Sequence, residues 1–318
     1  MEEALLRQKY REIEDRIVPI VDFLEFKKDF NEYKGLYKGI ITLQSPLVFK
    51  PEILFIGINS GPGAYNELNQ NNSSNNKTPL RMIGKDKMCF NELNWFQYGN
   101  AMGGINERGN WEKFHWYQRN KKINNPFTRN MIDILYEIAR LKFSEEYKKN
   151  NYDNNKLPFW YEDFGKSIMC TNLYPIATTD VTDLNKIHST LAHEKELQKF
   201  WEESRGNDKH INEWVIRKYF LKRVDELIHL VQPKVIVFMG ISAFNDFMGR
   251  YRRHGKDKGP IQTDILTLGD NKIPIIGFKR AWGWNSRSRI SKIAAKINEE
   301  SAISTSNDAK ELPLNRNL

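Results

Sequence analysis

Ile53-Leu54-Phe55-Ile56-Gly57-Ile58-Asn59-Ser60-Gly61-Pro62-Gly63 is the stretch that decides the fold. Its first half is a short apolar run introduced by Pro51-Glu52, with a glycine near its end. Such a run suits a strand buried on both faces, as in a parallel sheet. Gly61-Pro62-Gly63 then breaks it sharply.

Three more stretches read the same way. Ser167-Ile168-Met169-Cys170-Thr171 ends at Asn172-Leu173-Tyr174-Pro175. Lys234-Val235-Ile236-Val237-Phe238-Met239 is followed by Gly240, and Ile273-Pro274-Ile275-Ile276-Gly277-Phe278 comes last. Helical rhythm fills the intervals. Arg129 to Phe143 places Met131, Leu135, Ile138 and Leu141 on one face. His210 to Val231 turns Trp214, Leu221, Val224, Ile228 and Val231 inward, and Pro233 stops it. Ser242 is the expected N-cap of a further helix, and Ser286 to Ile297 closes the series. Residues 1–35 are helical in rhythm, with Pro19 starting or kinking a second helix.

Strands alternating with helices predict an α/β fold. The expected form is a three-layer α/β/α sandwich around a central, mainly parallel four-stranded sheet. One domain spans residues 1–298, with a helical N-terminal extension over 1–45. The polar stretches 66–78 and 148–156 are loops, and 90–127 is aromatic and irregular. The tail 299–318 lacks periodicity and is expected to be disordered.

The chain has 318 residues, 40% of them hydrophobic, and a formal net charge of +9. It holds no apolar run of the ~18 residues that a membrane span needs, and its first residues do not resemble a secretory signal. The two cysteines, Cys89 and Cys170, form no CxxC pair, so zinc ribbons and four-cysteine clusters are excluded. A reduced cytoplasm fits this usage. Basic residues crowd the segment from Gly249 to Lys292, among them Arg250, Arg252, Arg253, Lys279, Arg280, Arg287, Arg289 and Lys292. That crowding is either a solvated surface or a grip on phosphates.

Ligands of parallel sheets bind at the carboxyl ends of the strands. In this chain those ends are rich in glycine and amides. Gly57-Ile58-Asn59-Ser60-Gly61-Pro62-Gly63 resembles the first motif of the uracil-DNA glycosylase superfamily, closest to the single-strand-selective monofunctional type. In that resemblance Asn59 matches the asparagine that positions the attacking water, and Gly61 and Pro62 match as well. Ser60 stands in place of a proline. Gly63 stands where that type carries a phenylalanine lining the base pocket, which implies a wider pocket. Thr171-Asn172-Leu173-Tyr174-Pro175 resembles the second motif, whose asparagine at the end of a middle strand reads the edge of the flipped base. Pro233 to Ala243 resembles the third strand and its helix. The likeness spans roughly residues 50–295. The chain departs from the family after the last strand. The usual His-Pro-Ser is replaced by Lys279-Arg280-Ala281-Trp282-Gly283-Trp284.

The resemblance implies a DNA glycosylase that hydrolyses the N-glycosidic bond of a flipped uracil or modified base. The setting would be DNA repair or defence against phage DNA. Such a pocket must read the base edge, hold a water near the anomeric carbon and stabilise the departing base. Asn172 presents both a donor and an acceptor for reading. Asn59 and the backbone near Gly61 would hold the water. Lys279 or Arg280 would supply the positive charge that the missing histidine does not. Gly57, Ser60, Gly61, Gly63 and Tyr65 would shape the base pocket. Trp282 or Trp284 would wedge into the stack, and Arg250, Arg252, Arg253 and Arg287 would hold the DNA, single- or double-stranded. No cofactor, metal or membrane is expected, and the protein is expected to be a monomer.

Plainer readings stand beside these. Gly57 to Gly63 also suits a tight strand-to-helix turn. Asn172 also suits a turn or helix cap, and Asp180 and Asp183 suit loop capping as well as a base. Trp282 and Trp284 suit the core, and His188 and His193 are poorly spaced for a helical metal pair. A non-catalytic DNA-binding protein of the same fold is the main alternative. A nucleotide enzyme is a weaker one, because the glycine spacing is not GxGxxG and no Walker lysine follows.

Overall fold

The computed structural model describes residues 1–26, 36–37, 39–43, 45, 47–59, 80–82, 126–142, 167–251, 259–279 and 287–308. The chain opens with α1 (Glu3–Asp15) and α2 (Val18–Phe26), broken just before Pro19 as its missing N–H requires. It continues through β1 (Gly39–Ile41), β2 (Ile53–Asn59), β3 (Leu80–Met82) and α3 (Pro126–Lys142). Next come β4 (Ile168–Tyr174), β5 (Ile176–Ala177), α4 (Val181–His193), α5 (Gln198–Ser204) and α6 (Glu213–Val231). The chain then runs through β6 (Ile236–Phe238), α7 (Ile241–Tyr251), β7 (Ile261–Leu268), β8 (Asn271–Phe278) and α8 (Arg287–Asp308).

The fold is α/β with a mixed five-stranded sheet in the order β4-β2-β6-β8-β7. All four strands expected from the apolar runs are present, and they are mutually parallel along β4-β2-β6-β8. The expected sheet of four strands is corrected to five. β7 pairs antiparallel with β8 as a hairpin over Ile261↔Phe278 to Leu268↔Asn271. It escapes an apolar-run reading because it is an edge strand with a largely half-exposed face and an exposed Ile265. A second sheet of order β3-β1-β5 was also unforeseen, so the segment 1–45 is not purely helical. Two residues past β1, an isolated bridge between Leu43 and Thr171 joins the chain to the main sheet.

Burial explains the central strands. Ile53, Leu54, Phe55 and Ile56 are all inaccessible, as are Val235 to Phe238 and Ile275-Ile276. Two glycines are required by geometry. Gly240 leaves β6 at φ 147°, a conformation closed to side chains, and its carbonyl accepts the first bond of α7 from Phe244. Ser242 therefore lies inside the first turn and is not the cap. Gly277 packs under Phe244, whose Cβ and ring leave no room for an added Cβ.

Other helix ends moved modestly. α6 starts at Glu213, where the Asn212 side chain caps the N–H groups of Trp214 and Val215. In α3, Ile134 is buried and Leu141 is exposed. Leu141 lies about 80° off the stripe set by Met131, given about 100° per residue. α8 continues to Asp308, so the tail expected to be disordered from Glu299 begins as helix. Among the described residues no helix is long and apolar enough to cross a membrane. The expected loops at 66–78 and 148–156 and the aromatic stretch up to residue 125 lie outside the described residues.

One buried polar network ties these parts together. Arg223 of α6 forms an ion pair with Glu14 of α1 at 3.3 Å, with side chains only 2% and 4% exposed. The same guanidinium donates to the carbonyls of Thr42 and Asn172. Tyr10 and Thr171 add hydroxyl bonds to Thr42. Burial pushes the Glu14 carboxyl upward, more than Arg223 pulls it down. Removing one member of such a pair strands the other charge. Glu14→Ala should therefore lower stability by about 3–5 kcal/mol, read as a fall in urea midpoint at unchanged slope. The double replacement Glu14→Leu with Arg223→Met should not restore it, because the carbonyls of Thr42 and Asn172 lose their donor.

Candidate functional site at the carboxyl ends of the strands

The order of the four parallel strands creates a switch point. The chain leaves β2 toward β4 on one side, whereas it leaves β6 toward β8 on the other. Ligands of such sheets enter the crevice outside the carboxyl ends, between the two strands whose connections diverge. Here those strands are β2 and β6, so the crevice lies beside Asn59 and Gly240.

The two amides singled out by the sequence come from adjacent strands. Gly57 lies directly opposite Asn172 in the parallel ladder, and Asn59 lies opposite Tyr174. The pleat sends alternate residues to one face, so Asn59 and Asn172 leave the sheet on the same side. Their Cα atoms are about 8 Å apart, one strand across and two residues along. Between them stands Gly57, which contributes no side chain. Asn59 is half-buried, and Asn172 is buried at 1% exposure. Asn172 therefore meets a ligand only if the residues covering it move. β4 is an edge of the five-stranded sheet, whereas a middle strand was expected from the second motif. Asn172 is also no helix cap, because it sits within β4.

Lys279 follows the end of β8, exposed, with its backbone N–H bonded to the carbonyl of Pro260 at 2.9 Å. It stands two strands from Asn59, about 10 Å away at ordinary strand spacing, but level with Ile58, so the same pleat turns it to the opposite face from Asn59. Among the described residues, the basic positions between 249 and 292 fall at both ends of the sheet. α7 starts at the carboxyl end of β6 and runs away from it, carrying Arg250 in its last turn. Lys272 sits at the opposite end of β8 from Lys279. Arg287 begins α8, with Arg289 and Lys292 exposed in its first turns. Ser60, Gly61, Gly63, Tyr65, Arg252, Arg253, Arg280, Trp282 and Trp284 lie outside the described residues.

Several residues at the site were not anticipated. The Asn59 Nδ2 donates to the Thr178 hydroxyl at 2.7 Å, and that hydroxyl donates to the carbonyl of Asp180 at 2.6 Å. Asp180 caps α4 by accepting from the N–H of Asp183 at 2.9 Å. The capping reading of Asp180 therefore holds. Beside Asn59 in the ladder, Tyr174 is buried and donates to Asp246 at 2.8 Å. Burial, with Asp246 next, holds its phenol well above the usual range, so it is a neutral donor. Arg217 reaches Asp246 at 3.4 Å, Asn185 at 2.6 Å and Glu213 at 2.7 Å. The sequence signal for this cluster was weak, because its members come from α4, α6, α7 and β4.

Cys170 is buried, and its thiol is pushed up to about 12, which makes it an inert core residue. Among the described residues no group of three or more His, Cys, Asp or Glu is placed to hold a metal. No family model matches the chain, and no curated protein matches it. The reading of the site rests on its own residues.

His188 is the anomaly beneath the site. It stacks on Phe220 at 5.7 Å and meets Tyr174 edge-on at 5.0 Å. It is inaccessible, and among the described residues neither ring nitrogen has a hydrogen-bond partner. Burial, helped by Arg217, lowers its pKa from 6.5 to about 3. Unfolding therefore takes up a proton between those two values, and stability falls as the pH drops through that window. The slope from this one group is at most about 1.4 kcal/mol per pH unit. His188→Phe should remove that component and leave stability at pH 7 equal or higher. Urea midpoints of the two proteins from pH 7 to pH 4 should diverge; parallel curves would refute the assignment.

Proposed function

We propose that the protein is a DNA glycosylase of the uracil-DNA glycosylase type, with its base pocket at the carboxyl end of β2, between the switch point toward β6 and Asn172 on β4. The observation that carries this reading is the paired exit of Asn59 and Asn172 from adjacent parallel strands, with the side-chain-free Gly57 between them. The architecture that accompanies it is a three-layer sandwich in one domain, acting as a cytoplasmic monomer.

Each amide suits a different task. Asn172 offers both a donor and an acceptor, which is what reading a base edge requires. Asn59 suits holding a water. An amide is no strong base, but little activation is needed when the sugar departs as an oxocarbenium-like cation. The departing base must still be stabilised. Lys279 is a described cation at the same end of the sheet, and Arg280 follows it in sequence. A single well-placed donor there is worth about 3 kcal/mol, roughly a hundredfold in rate. Arg287, Arg289 and Lys292 at the start of α8 would contact phosphates.

The buried state of Asn172 implies that base entry opens the pocket. A glycine at position 63, where the resembled type carries a phenylalanine, favours a base bulkier than uracil, as in modified phage DNA. The missing His-Pro-Ser favours the second reading, a protein of this fold that binds DNA without excision.

The deciding assay uses oligonucleotides carrying uracil, hypoxanthine or modified cytosines, followed by alkaline cleavage. Strand breaks should form on at least one substrate, and Asn59→Ala should slow them at least about a hundredfold while DNA affinity persists. Salt-sensitive binding with no break on any substrate would establish the non-catalytic reading instead.

A further inference from the structure

We propose that Thr178 is a positioning residue that fixes which end of the Asn59 amide faces the site. This rests on the glycosylase reading only for the identity of the ligand; the orientation itself stands on hydrogen-bond chemistry.

An asparagine side chain can sit in either of two flipped orientations, and only its partners decide between them. Here the bond to Thr178 admits one orientation. The carbonyl of Asp180 can only accept, and it lies 2.6 Å from the Thr178 hydroxyl oxygen. The Thr178 proton is therefore committed to Asp180. Toward Asn59, 2.7 Å away, Thr178 presents only lone pairs. The amide must meet it with Nδ2. The flipped amide would either oppose two oxygens at that distance or draw the proton away from Asp180. The second option would leave two oxygens 2.6 Å apart without a proton between them.

The relay is anchored at both ends. Thr178 is inaccessible to solvent. Asp180 is held by its own cap on Asp183 and by its carbonyl, which also accepts from the N–H of Leu184 at 3.2 Å. The first turn of α4 thus sets the proton direction, Thr178 transmits it, and Asn59 displays the result. Asn59 turns its donor toward Thr178, and Oδ1 is its acceptor end. The group that Asn59 takes at Oδ1 must then be a hydrogen-bond donor. In the glycosylase reading that donor is the attacking water. Its proton points to Oδ1, so a lone pair is left for the anomeric carbon.

The test compares Thr178→Val, which keeps the shape and removes the relay, with Thr178→Ser, which keeps the hydroxyl. Asparagine-selective nitrogen-15 labelling reads the Asn59 side-chain amide directly, with Asn59→Ala providing its assignment. Its protons should be protected from exchange in the wild type and in Thr178→Ser, and should lose protection in Thr178→Val. On a substrate that the wild type cleaves, Thr178→Val should lower kcat roughly tenfold to a hundredfold with KM nearly unchanged, and Thr178→Ser should restore it. Unprotected amide protons in the wild type would overturn the proposal, as would a Thr178→Val protein with wild-type protection or wild-type kcat. If the wild type cleaves no substrate, the glycosylase reading fails, and the exchange measurement alone still decides the role of Thr178.

Discussion

A guanidinium buried between α1, α6 and β4 holds the architecture in register. Arg223 cannot be solvated where it lies, so each of its partners must be in place before the helices close. Those partners come from three distant parts of the chain: Glu14, the carbonyl of Thr42 and the carbonyl of Asn172. A purely apolar contact would tolerate sliding of α1 along α6. Directional bonds to a carboxylate and two carbonyls do not. The network therefore fixes the N-terminal helix and the strip around Thr42 against the edge of β4, at the residue whose side chain belongs to the candidate site.

The coupling has a consequence for the site. The carbonyl of Asn172 is pinned by Arg223, and its ladder partner Gly57 is pinned by β4. Asn59, two residues further along β2, is held separately through Thr178 and the start of α4. The two amides thus depend on different anchors. One answers to the N-terminal helix, and the other to the helix that follows β5. A site built this way keeps its amide spacing through the sheet and its amide orientation through the helices. Spacing comes from the backbone ladder, which is stiff, and orientation from hydroxyl and carbonyl bonds, which a single substitution can undo.

The sheet was legible because parallel strands are apolar on both faces, and Ile53 to Ile58 and Val235 to Phe238 carry that pattern without interruption. β7 was not, because Gln262, Thr263 and Asp264 sit on an edge strand where one face needs no apolar residues. The buried charges carried a local signal that went unread. Arg223 lies among Phe220, Val224 and Leu227, and Glu14 among Tyr10, Ile13 and Ile17. A charge at a position where the helical stripe demands an apolar residue marks a buried partner elsewhere. The sequence can announce such a charge, but it cannot name the partner. Asn59 and Thr178 show the same limit more sharply. Asn59 stood out in the sequence and Thr178 did not, because the bond between them joins the end of one strand to the loop before a helix, and no spacing rule predicts it.

His188 sharpens the contrast between the two kinds of polar burial. Arg223 is buried with partners on several sides, whereas His188 is buried between aromatic rings with no hydrogen-bond partner among the described residues. An unpaired imidazole is expensive compared with phenylalanine of similar shape, so packing alone gives no reason for it. Tyr174, which it touches, is the ladder partner of Asn59 and is clamped by Asp246. The layer under the site is thus a chain of aromatic contacts from Phe220 through His188 to Tyr174, with the phenol fixed at its far end. Displacing the imidazole would shift the ring that backs the end of β4, and with it the strand edge against which Asn59 is set.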